Sequence, residues 1–257
     1  MKNRSILIIA FLLAGLMPAM PQTLVQPTSQ TQTPVAARPP RPPARLIYLS
    51  ADFLPLPGLL LPAPAKPDSA EGRDDLAAVK AAQAGASPER IALAAADDKN
   101  ETVWFLANIL PGFEASRLPV TDKLFKAARN DENFEVNAFK RYFARERPFD
   151  IDHSIKTCVP SVYGRGLESY PSGHATMGYS LSIILAHLIP EKAETILARA
   201  KEYGANRVIC GVHFPSDIAA SQALGTAVAL ELMSTPAFKA DLDAAKAELI
   251  GAGLTKP

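Results

Sequence analysis

Three groups of chemically active side chains follow one another in the second half of the chain. Together they supply three cations, two imidazoles, a carboxylate and a glycine-containing turn. In chain order they are Lys140 and Arg147-Pro148, then Pro171-Ser172-Gly173-His174, then Arg207, His213 and Asp217. Phosphoryl transfer depends mostly on positioning and electrostatic stabilisation, because charge spreads over three equatorial oxygens while the attacking and leaving groups stay in line. This set therefore predicts a site that binds a phosphate group and attacks its phosphorus.

The cations and the turn suit different parts of such a site. A guanidinium is a planar fork that holds two oxygens at once, whereas an ammonium group acts as a mobile point charge. We therefore expect Arg147 and Arg207 to orient the phosphate and Lys140 to neutralise it. Ser172 and Gly173 precede an apolar segment that predicts a helix, so their backbone amides would bind the anion at the positive end of that helix.

The two histidines allow two roles. A neutral imidazole can attack phosphorus, and a protonated imidazole can donate its proton to the leaving oxygen. We assign His213 as the nucleophile, because Asp217 lies four residues further on and can accept a hydrogen bond from its other ring nitrogen. His174 is then the general acid and, once it has lost its proton, the base that activates water. We expect this chemistry to need neither a metal ion nor a cofactor.

The three groups resemble the three-part signature of the type 2 phosphatidic acid phosphatase superfamily. One position departs from it, since Asn206 stands where the pattern usually has a serine that contacts the phosphate. We expect that an asparagine amide could still donate this hydrogen bond.

Wider stretches are similar to bacterial class A nonspecific acid phosphatases. These stretches are Leu60-Leu61-Pro62-Ala63-Pro64, Ser87-Pro88-Glu89-Arg90 and Arg207-Val208-Ile209-Cys210-Gly211. The resemblance implies a single compact all-α domain of the type 2 phosphatidic acid phosphatase kind. It also implies a periplasmic enzyme that hydrolyses many small phosphomonoesters at acidic pH and sometimes transfers the phosphoryl group to alcohols. Inorganic phosphate and vanadate would inhibit it.

Other functions share parts of this pattern. Vanadium-dependent haloperoxidases resemble the same signature, because vanadate mimics a phosphorane in a cationic pocket, although the wider resemblance argues against them. The groups could also form a phosphate-binding module without turnover. His174, His213 and Asp217 could instead form a metal site with two histidines and one carboxylate, which the three nearby cations disfavour.

Each group, taken singly, also has an ordinary structural explanation. The first could be a solvated basic face, the second a helix cap, and the third a hydrogen-bonded structural pair. We interpret Arg141 and Arg145 as surface charges. Several residues are candidates for the entrance of the site: Tyr163, Glu168, Tyr170, Phe105 and Leu106.

The N-terminal segment predicts export. Residues 1–19 combine Lys2 and Arg4 with an apolar run and small residues, which is typical of a signal peptide. Removing these two cations from 27 basic residues leaves 25 against 26 acidic ones, a net charge of −1 that does not favour nucleic-acid binding. No later stretch approaches the about 18 apolar residues that span a bilayer, so we expect a mature protein without a membrane anchor.

Two cysteines fit an exported chain. In an oxidising compartment Cys158 and Cys210 have one intramolecular pairing, and we predict that disulfide, the alternative being two buried thiols. Closing a loop of about fifty residues would stabilise the fold by about 4 kcal/mol in the chain-entropy treatment.

The remaining pattern predicts a disordered linker and one helical domain. Residues 20–45 are rich in Pro, Gln and Thr, which is typical of a linker, and residues 46–257 form the predicted domain. Prolines within 46–67 favour an extended arm, which could reach a second subunit. Helices are predicted near 74–84, 88–97, 101–109, 120–129, 133–146, 173–188, 191–205, 215–233 and 236–250. The helix predicted near 133–146, with Arg147 at its end, would place Lys140 and Arg147 two turns apart on one face.

Overall fold

A computed structural model describes residues 45–50, 57–160 and 166–257. The predicted signal peptide (1–19) and residues 20–44 of the predicted linker lie outside them. Within the described residues the chain forms nine α-helices, two short 3-10 helices and no β-strand, which confirms the predicted all-α class. The helices are α1 (Pro57–Leu60), α2 (Ala70–Ala84), α3 (Pro88–Asp98), α4 (Pro119–Phe143), α5 (Pro148–Ile151), α6 (Gly173–Leu188), α7 (Ala193–Ile209), α8 (Pro215–Ser234) and α9 (Pro236–Gly251).

The α6 helix lies at the centre of the domain and packs against α4, α7 and α8. It is buried nearly all round, and its apolar side chains join one core with those of the neighbouring helices. Gly225 on α8 allows a close approach, since a Cβ atom there would lie 2.7 Å from the carbonyl oxygen of Thr176 on α6. The helix that begins with Gly173-His174 is therefore held firmly against the helix that carries Asp217.

Local sequence signals explain where several helices begin. Ser69 and Ser87 cap α2 and α3, each accepting a hydrogen bond from a backbone amide of the first turn. Pro215 occupies the first turn of α8, where its missing N–H has no intrahelical partner to lose. Asp217 caps the same helix, because its Oδ2 accepts from the backbone N–H of Phe214 at 2.9 Å.

The central helix α4 differs from the prediction of two helices at 120–129 and 133–146. It runs unbroken, because the polar residues at its middle are buried and paired: Asp131 binds the N-terminal arm and Glu132 pairs with Arg129. The helix also ends earlier than predicted, at Phe143, and Ala144 adopts a left-handed conformation with φ 46°. Arg147 therefore lies beyond α4, just before α5, and the predicted shared helix face for Lys140 and Arg147 is wrong.

Two further segments differ from their predicted form. The predicted helix at 101–109 contains only the 3-10 helix Val103–Leu106, because Thr102 caps the Trp104 amide and Pro111-Gly112 follow soon after. The arm at 46–67 contains the short helix α1, and its other described residues are non-helical. No helix in the described part of the chain is both long and apolar enough to cross a membrane.

A buried carboxylate attaches the arm to the domain. Asp131 is fully buried on α4, and its two oxygens accept hydrogen bonds from three successive backbone amides at 2.8, 2.8 and 3.0 Å. These amides belong to Ile47, Tyr48 and Leu49. Hydrogen bonds to a charged acceptor are the stronger ones in proteins, so this side chain fixes the arm on the domain surface.

Replacing Asp131 with alanine is expected to lower the free energy of unfolding by about 3 kcal/mol, because the three arm amides lose a charged acceptor. Urea unfolding followed by circular dichroism measures the change. Asp243→Ala, which removes an exposed carboxylate on α9, is the matched control and should change stability by less than about 0.5 kcal/mol. Equal stability of the two variants would contradict this role of Asp131.

Candidate active site

His213 and Asp217 lie together at the N-terminus of α8. His213 lies just before Phe214, the N-cap of the helix, and its Nδ1 lies 3.2 Å from Oδ2 of Asp217 in the first turn. Both side chains are buried. Because the carboxylate accepts a hydrogen bond from Nδ1, the lone pair of a neutral ring is on Nε2, which lies 3.1 Å from Nη1 of Arg147. The nitrogen with the lone pair is therefore next to a phosphate-binding candidate.

The protonation of this pair follows from its surroundings. Burial lowers the pKa of His213 well below its usual value, and the charges of Arg147, Lys140 and Arg207 lower it further. Burial also raises the pKa of Asp217, while Arg145 and the hydroxyl of Ser169 oppose that rise. His213 is thus neutral in the free protein, which is the form that a nucleophile requires.

Lys140 and Arg147 converge on the same backbone carbonyl although they come from different elements. Lys140 Nζ, in the last turn of α4, donates to the carbonyl oxygen of Glu168, and Arg147 Nη2 donates to the same oxygen at 3.3 Å. Arg147 Nη1 also donates to the carbonyl of Val212 at 2.9 Å. Burial and the charge of Arg147 lower the pKa of Lys140 to about 7.

Arg207 occupies the last turn of α7 and is almost completely buried. Its Nη1 lies 2.7 Å from Oδ1 of Asp98, the last residue of α3. Its Nε has no hydrogen-bond partner among the described residues. A buried guanidinium with an unmatched donor is suited to bind an anionic oxygen.

The second group caps the central helix. Ser172 is the N-cap of α6, and its Oγ accepts a long hydrogen bond of 3.4 Å from the amide of Ala175. Gly173 begins the helix, and a Cβ atom there would lie 3.8 Å from Cε of Lys140. The amides at this terminus have no intrahelical partners, so they present donors close to the Lys140 ammonium group.

His174 faces two acidic residues that the sequence did not single out. Its Nε2 lies 3.0 Å from the backbone oxygen of Asp98 and 3.7 Å from Oε1 of Glu101. Burial lowers its pKa well below the usual value, with a further contribution from Arg207. One signal could have indicated Asp98: Asp97-Asp98 end α3, where the helix dipole disfavours carboxylates unless cations pair with them.

A cavity of about 250 Å³ brings together three of the predicted site residues, Arg147, His174 and Arg207, whereas the other predicted site residues lie behind its lining: Lys140, Ser172, Gly173, His213 and Asp217. Its polar lining comes from Arg147, His174, Arg207, Asp98, Glu101 and Glu168, and its apolar lining includes Phe149, Val159 and Val212. Glu168 thus lies where the sequence placed the entrance, but Phe105, Leu106 and Tyr170 do not, because all three are buried in the core. Tyr163 lies outside the described residues.

Arg145 and Asn206, for which the sequence predicted no catalytic role, both form buried contacts with carboxylates. Arg145, interpreted as a surface charge, is buried and pairs with Asp75 at 2.8 Å and Asp217 at 2.6 Å, so that interpretation is wrong. Asn206 donates from Nδ2 to Asp97 at 2.6 Å. Its amide is therefore bound to a carboxylate that also pairs with Arg199.

Cys158 and Cys210 form the predicted disulfide, with Cα atoms 4.7 Å apart. The backbone amide of Cys158 also donates to the carbonyl of Cys210 at 3.3 Å. This link joins the segment after α5 to the end of α7, close to Arg207. It therefore holds together two of the segments that line the cavity.

Comparison with known proteins agrees with this architecture. Residues 132–240, which contain all three groups, match the PAP2 superfamily. The chain is 36% identical over 138 residues to an acid phosphatase of Zymomonas mobilis, covering 53% of this chain and 52% of that protein.

Two non-specific acid phosphatases give similar values. That of Salmonella typhimurium is 39% identical over 113 residues, covering 43% of this chain and 44% of its own length. That of Providencia stuartii is 31% identical over 145 residues, covering 52% and 58%. The chain thus spans about half the length of these relatives. The chain is therefore similar to the PAP2 superfamily over residues 132–240 of its all-α domain, which is less than half of its length.

Proposed function

We propose that the protein is a secreted, periplasmic acid phosphatase that hydrolyses a broad range of small phosphomonoesters without a metal ion, through a phosphohistidine at His213. One observation carries the proposal: Arg147 lines the cavity and also lies 3.1 Å from the Nε2 lone pair of His213. A phosphate held by this guanidinium would have its phosphorus beside the nucleophile. The three relatives named above are all called acid phosphatases, which supports the same activity.

The first step transfers the phosphoryl group to the protein. Nε2 of His213 attacks phosphorus, the bond from phosphorus to the ester oxygen breaks, and His174 gives its proton to the departing oxygen. The products are a free alcohol and a phosphohistidine. Asp217 holds the Nδ1 proton and stabilises the positive charge that the substituted ring acquires.

The cations stabilise the charge on the transferred group. Arg147 and Arg207 approach the cavity from the segment before α5 and from the end of α7, so their forks can bind different equatorial oxygens. Lys140 and the amides at the start of α6 add charge and donors from a third direction. In a buried site these interactions are stronger than in water, because little solvent screens them.

The low pKa of His174 must be reconciled with its role as an acid. Its pKa is depressed in the free protein by burial and by Arg207. A bound phosphate dianion adds two negative charges beside these cations and raises the pKa of His174. Substrate binding is therefore coupled to protonation of His174, and this coupling favours activity at acidic pH.

The second step releases phosphate. His174, now neutral, takes a proton from a water molecule whose oxygen attacks phosphorus, and the bond from phosphorus to Nε2 of His213 breaks. His213 returns to the neutral form and inorganic phosphate leaves. An alcohol that enters in place of water would accept the phosphoryl group, which gives phosphotransferase activity.

Hydrolysis of p-nitrophenyl phosphate between pH 4 and 9, with a chelator present, tests the proposal. We expect turnover that is highest at acidic pH and that persists in the presence of the chelator. Vanadate should bind at least about 100-fold more tightly than phosphate, because vanadate mimics the pentacoordinate state of phosphorus. The same protein after extensive dialysis against chelator is the control.

Each other outcome identifies an alternative. Loss of turnover with the chelator, restored by a divalent metal, would indicate a metal site at His174, His213 and Asp217. A folded protein without turnover would contradict a phosphatase. Bromide oxidation by peroxide after loading with vanadate would then identify a haloperoxidase.

A further inference from the structure

Arg145 is a buried cation outside the set of phosphate-binding candidates. It lies between α4 and α5, and it does not line the cavity. Its Nη1 donates to Asp217 Oδ1 at 2.6 Å and to the hydroxyl of Ser216 at 2.7 Å. Because the guanidinium is buried and bound to Asp217, Ser216 and Asp75, we expect its effect on the reaction to pass through Asp217.

Asp217 depends on this partner for one of its two oxygens. Oδ2 accepts from His213 Nδ1 at 3.2 Å, from Ser169 Oγ at 2.6 Å and from the Phe214 amide at 2.9 Å. Oδ1 accepts from Arg145. The carboxylate is fully buried, and an ionised group in such a place requires a paired charge.

Arg145 is itself held by groups on two other elements. Asp75 on α2 accepts from Nη2 of Arg145 at 2.8 Å, and its other oxygen accepts from the Ser216 amide at 3.2 Å. The Arg145 guanidinium also stacks on the ring of Phe214, 3.8 Å from the ring centre. With hydrogen bonds at its edge and the Phe214 ring against its face, the guanidinium has a fixed orientation toward Asp217.

We propose that Arg145 is a positioning residue of the reaction: held by Asp75, it fixes the Asp217 carboxylate in the orientation that accepts the Nδ1 proton of His213. This inference rests on the proposed function, since it assigns how the nucleophile of that reaction is oriented. The contacts run from Asp75 on α2 through Arg145 and Asp217 to His213, which lies beside the cavity residue Arg147: Asp75–Arg145, Arg145–Asp217, Asp217–His213 and His213–Arg147.

Loss of Arg145 should reduce activity on the acidic side of the pH profile. Burial raises the pKa of Asp217 and Arg145 opposes that rise, so loss of Arg145 raises the pKa further. A protonated Asp217 no longer provides the negative charge that His213 requires, so activity is lost from the acidic side. The charged and titratable groups that face this carboxylate are Arg145, Lys140, Arg147, His213 and Tyr170.

Three variants test the proposal with p-nitrophenyl phosphate between pH 4 and 9. Arg145→Gln should lower kcat by about 10- to 100-fold while KM changes less, as for other residues that orient a reacting group. The acidic limb of kcat/KM should move to higher pH. Arg145→Lys, which keeps the charge, should restore part of both effects. Arg141→Gln, which removes an exposed charge near the end of α4, should match the wild type.

A wild-type kcat and pH profile in folded Arg145→Gln would overturn the inference and leave the proposed function intact. An inactive wild type would contradict the proposed function itself. The ring nitrogens of His213, followed by ¹⁵N NMR against pH, then decide the positioning role without turnover. We expect a fixed Nδ1 proton in the wild type and mixed tautomers in the variant, and identical spectra would overturn the inference.

If circular dichroism shows that Arg145→Gln folds poorly, Asp75→Asn is the variant that tests the inference. This change leaves the contact between Arg145 and Asp217 in place but weakens the hold on the guanidinium. We expect a shift of the acidic limb in the same direction and of smaller size. An unshifted limb in this variant would overturn the inference.

Discussion

Replacing His213 with alanine is expected to reduce kcat for p-nitrophenyl phosphate by at least about 10³-fold, the largest effect of any single change in the site. The residue supplies the atom to which the phosphoryl group is transferred, and its Nε2 is the ring nitrogen turned toward Arg147. The neighbouring cations do not provide a nucleophile. Substrate binding should persist, because Arg147 and Arg207 remain.

His187→Ala is the matched control, since it removes an exposed histidine at the other end of α6 and should leave kcat unchanged. Rapid acid-free quenching followed by mass spectrometry should find a phosphorylated peptide that contains His213 in the wild type. The same peptide should remain unmodified in His213→Ala. Substantial turnover by the variant, or a phosphorylated His174, would show that the nucleophile has been assigned to the wrong histidine.

The helical class and the contact between His213 and Asp217 could both be predicted from local sequence. Helix-forming residues with Pro or Gly at their ends located most helices within a few residues. Pro215 marks the first turn of α8, and a separation of four residues is short enough to bring Asp217 under the preceding ring. Such predictions succeed because they depend on interactions within a few residues of the chain.

Long-range pairing explains what the sequence did not predict. Nothing near Arg145 distinguishes it from exposed Arg141, because its partners Asp75 and Asp217 lie 70 and 72 positions away. Asn130-Asp131 reads as a break in a helix, yet the arm amides satisfy the carboxylate and α4 continues. The left-handed turn at Ala144 was not predicted either, since alanine rarely adopts that conformation.

The surroundings of Asn206 illustrate the same limit at the site itself. The resemblance places a phosphate-contacting serine at this position, where the Asn206 amide is expected to be able to donate the same hydrogen bond. In the structure its amide binds Asp97, which forms two hydrogen bonds with Arg199, at 2.9 and 2.5 Å. Asp97 thereby links α3 to α7, and the next residue, Asp98, meets Arg207 and His174. The acidic end of α3 thus supports the cationic side of the cavity.

Replacing His174 with alanine is expected to lower the rate of the first step, phosphoryl transfer to His213, by an amount that depends on the leaving group. For an alkyl phosphate, whose alkoxide is a poor leaving group, loss of a general acid should reduce kcat/KM by about 10²- to 10⁴-fold. For p-nitrophenyl phosphate kcat/KM should fall far less, because p-nitrophenolate departs without a proton. A series of aryl and alkyl phosphates measures this as a steeper dependence of log kcat/KM on the pKa of the leaving alcohol. The second step should also slow in the variant, so that kcat falls and a phosphohistidine accumulates, since hydrolysis of the intermediate needs His174 as base.

The pH profile separates this role from electrostatic binding of the phosphate. Burial and Arg207 depress the pKa of His174 in the free protein, so kcat of the wild type should fall as pH rises and the bound histidine loses its proton. For an alkyl phosphate, whose leaving group needs the proton, that limb should be absent from the profile of His174→Ala. A variant with the same leaving-group dependence as the wild type would assign His174 to binding alone. The control His187→Ala should keep both the pH limb and the leaving-group dependence of the wild type, which would show that the loss of any one histidine does not produce this pattern. The leaving-group dependence and the pH limb therefore test His174 as the general acid, just as the phosphorylated peptide tests His213 as the nucleophile.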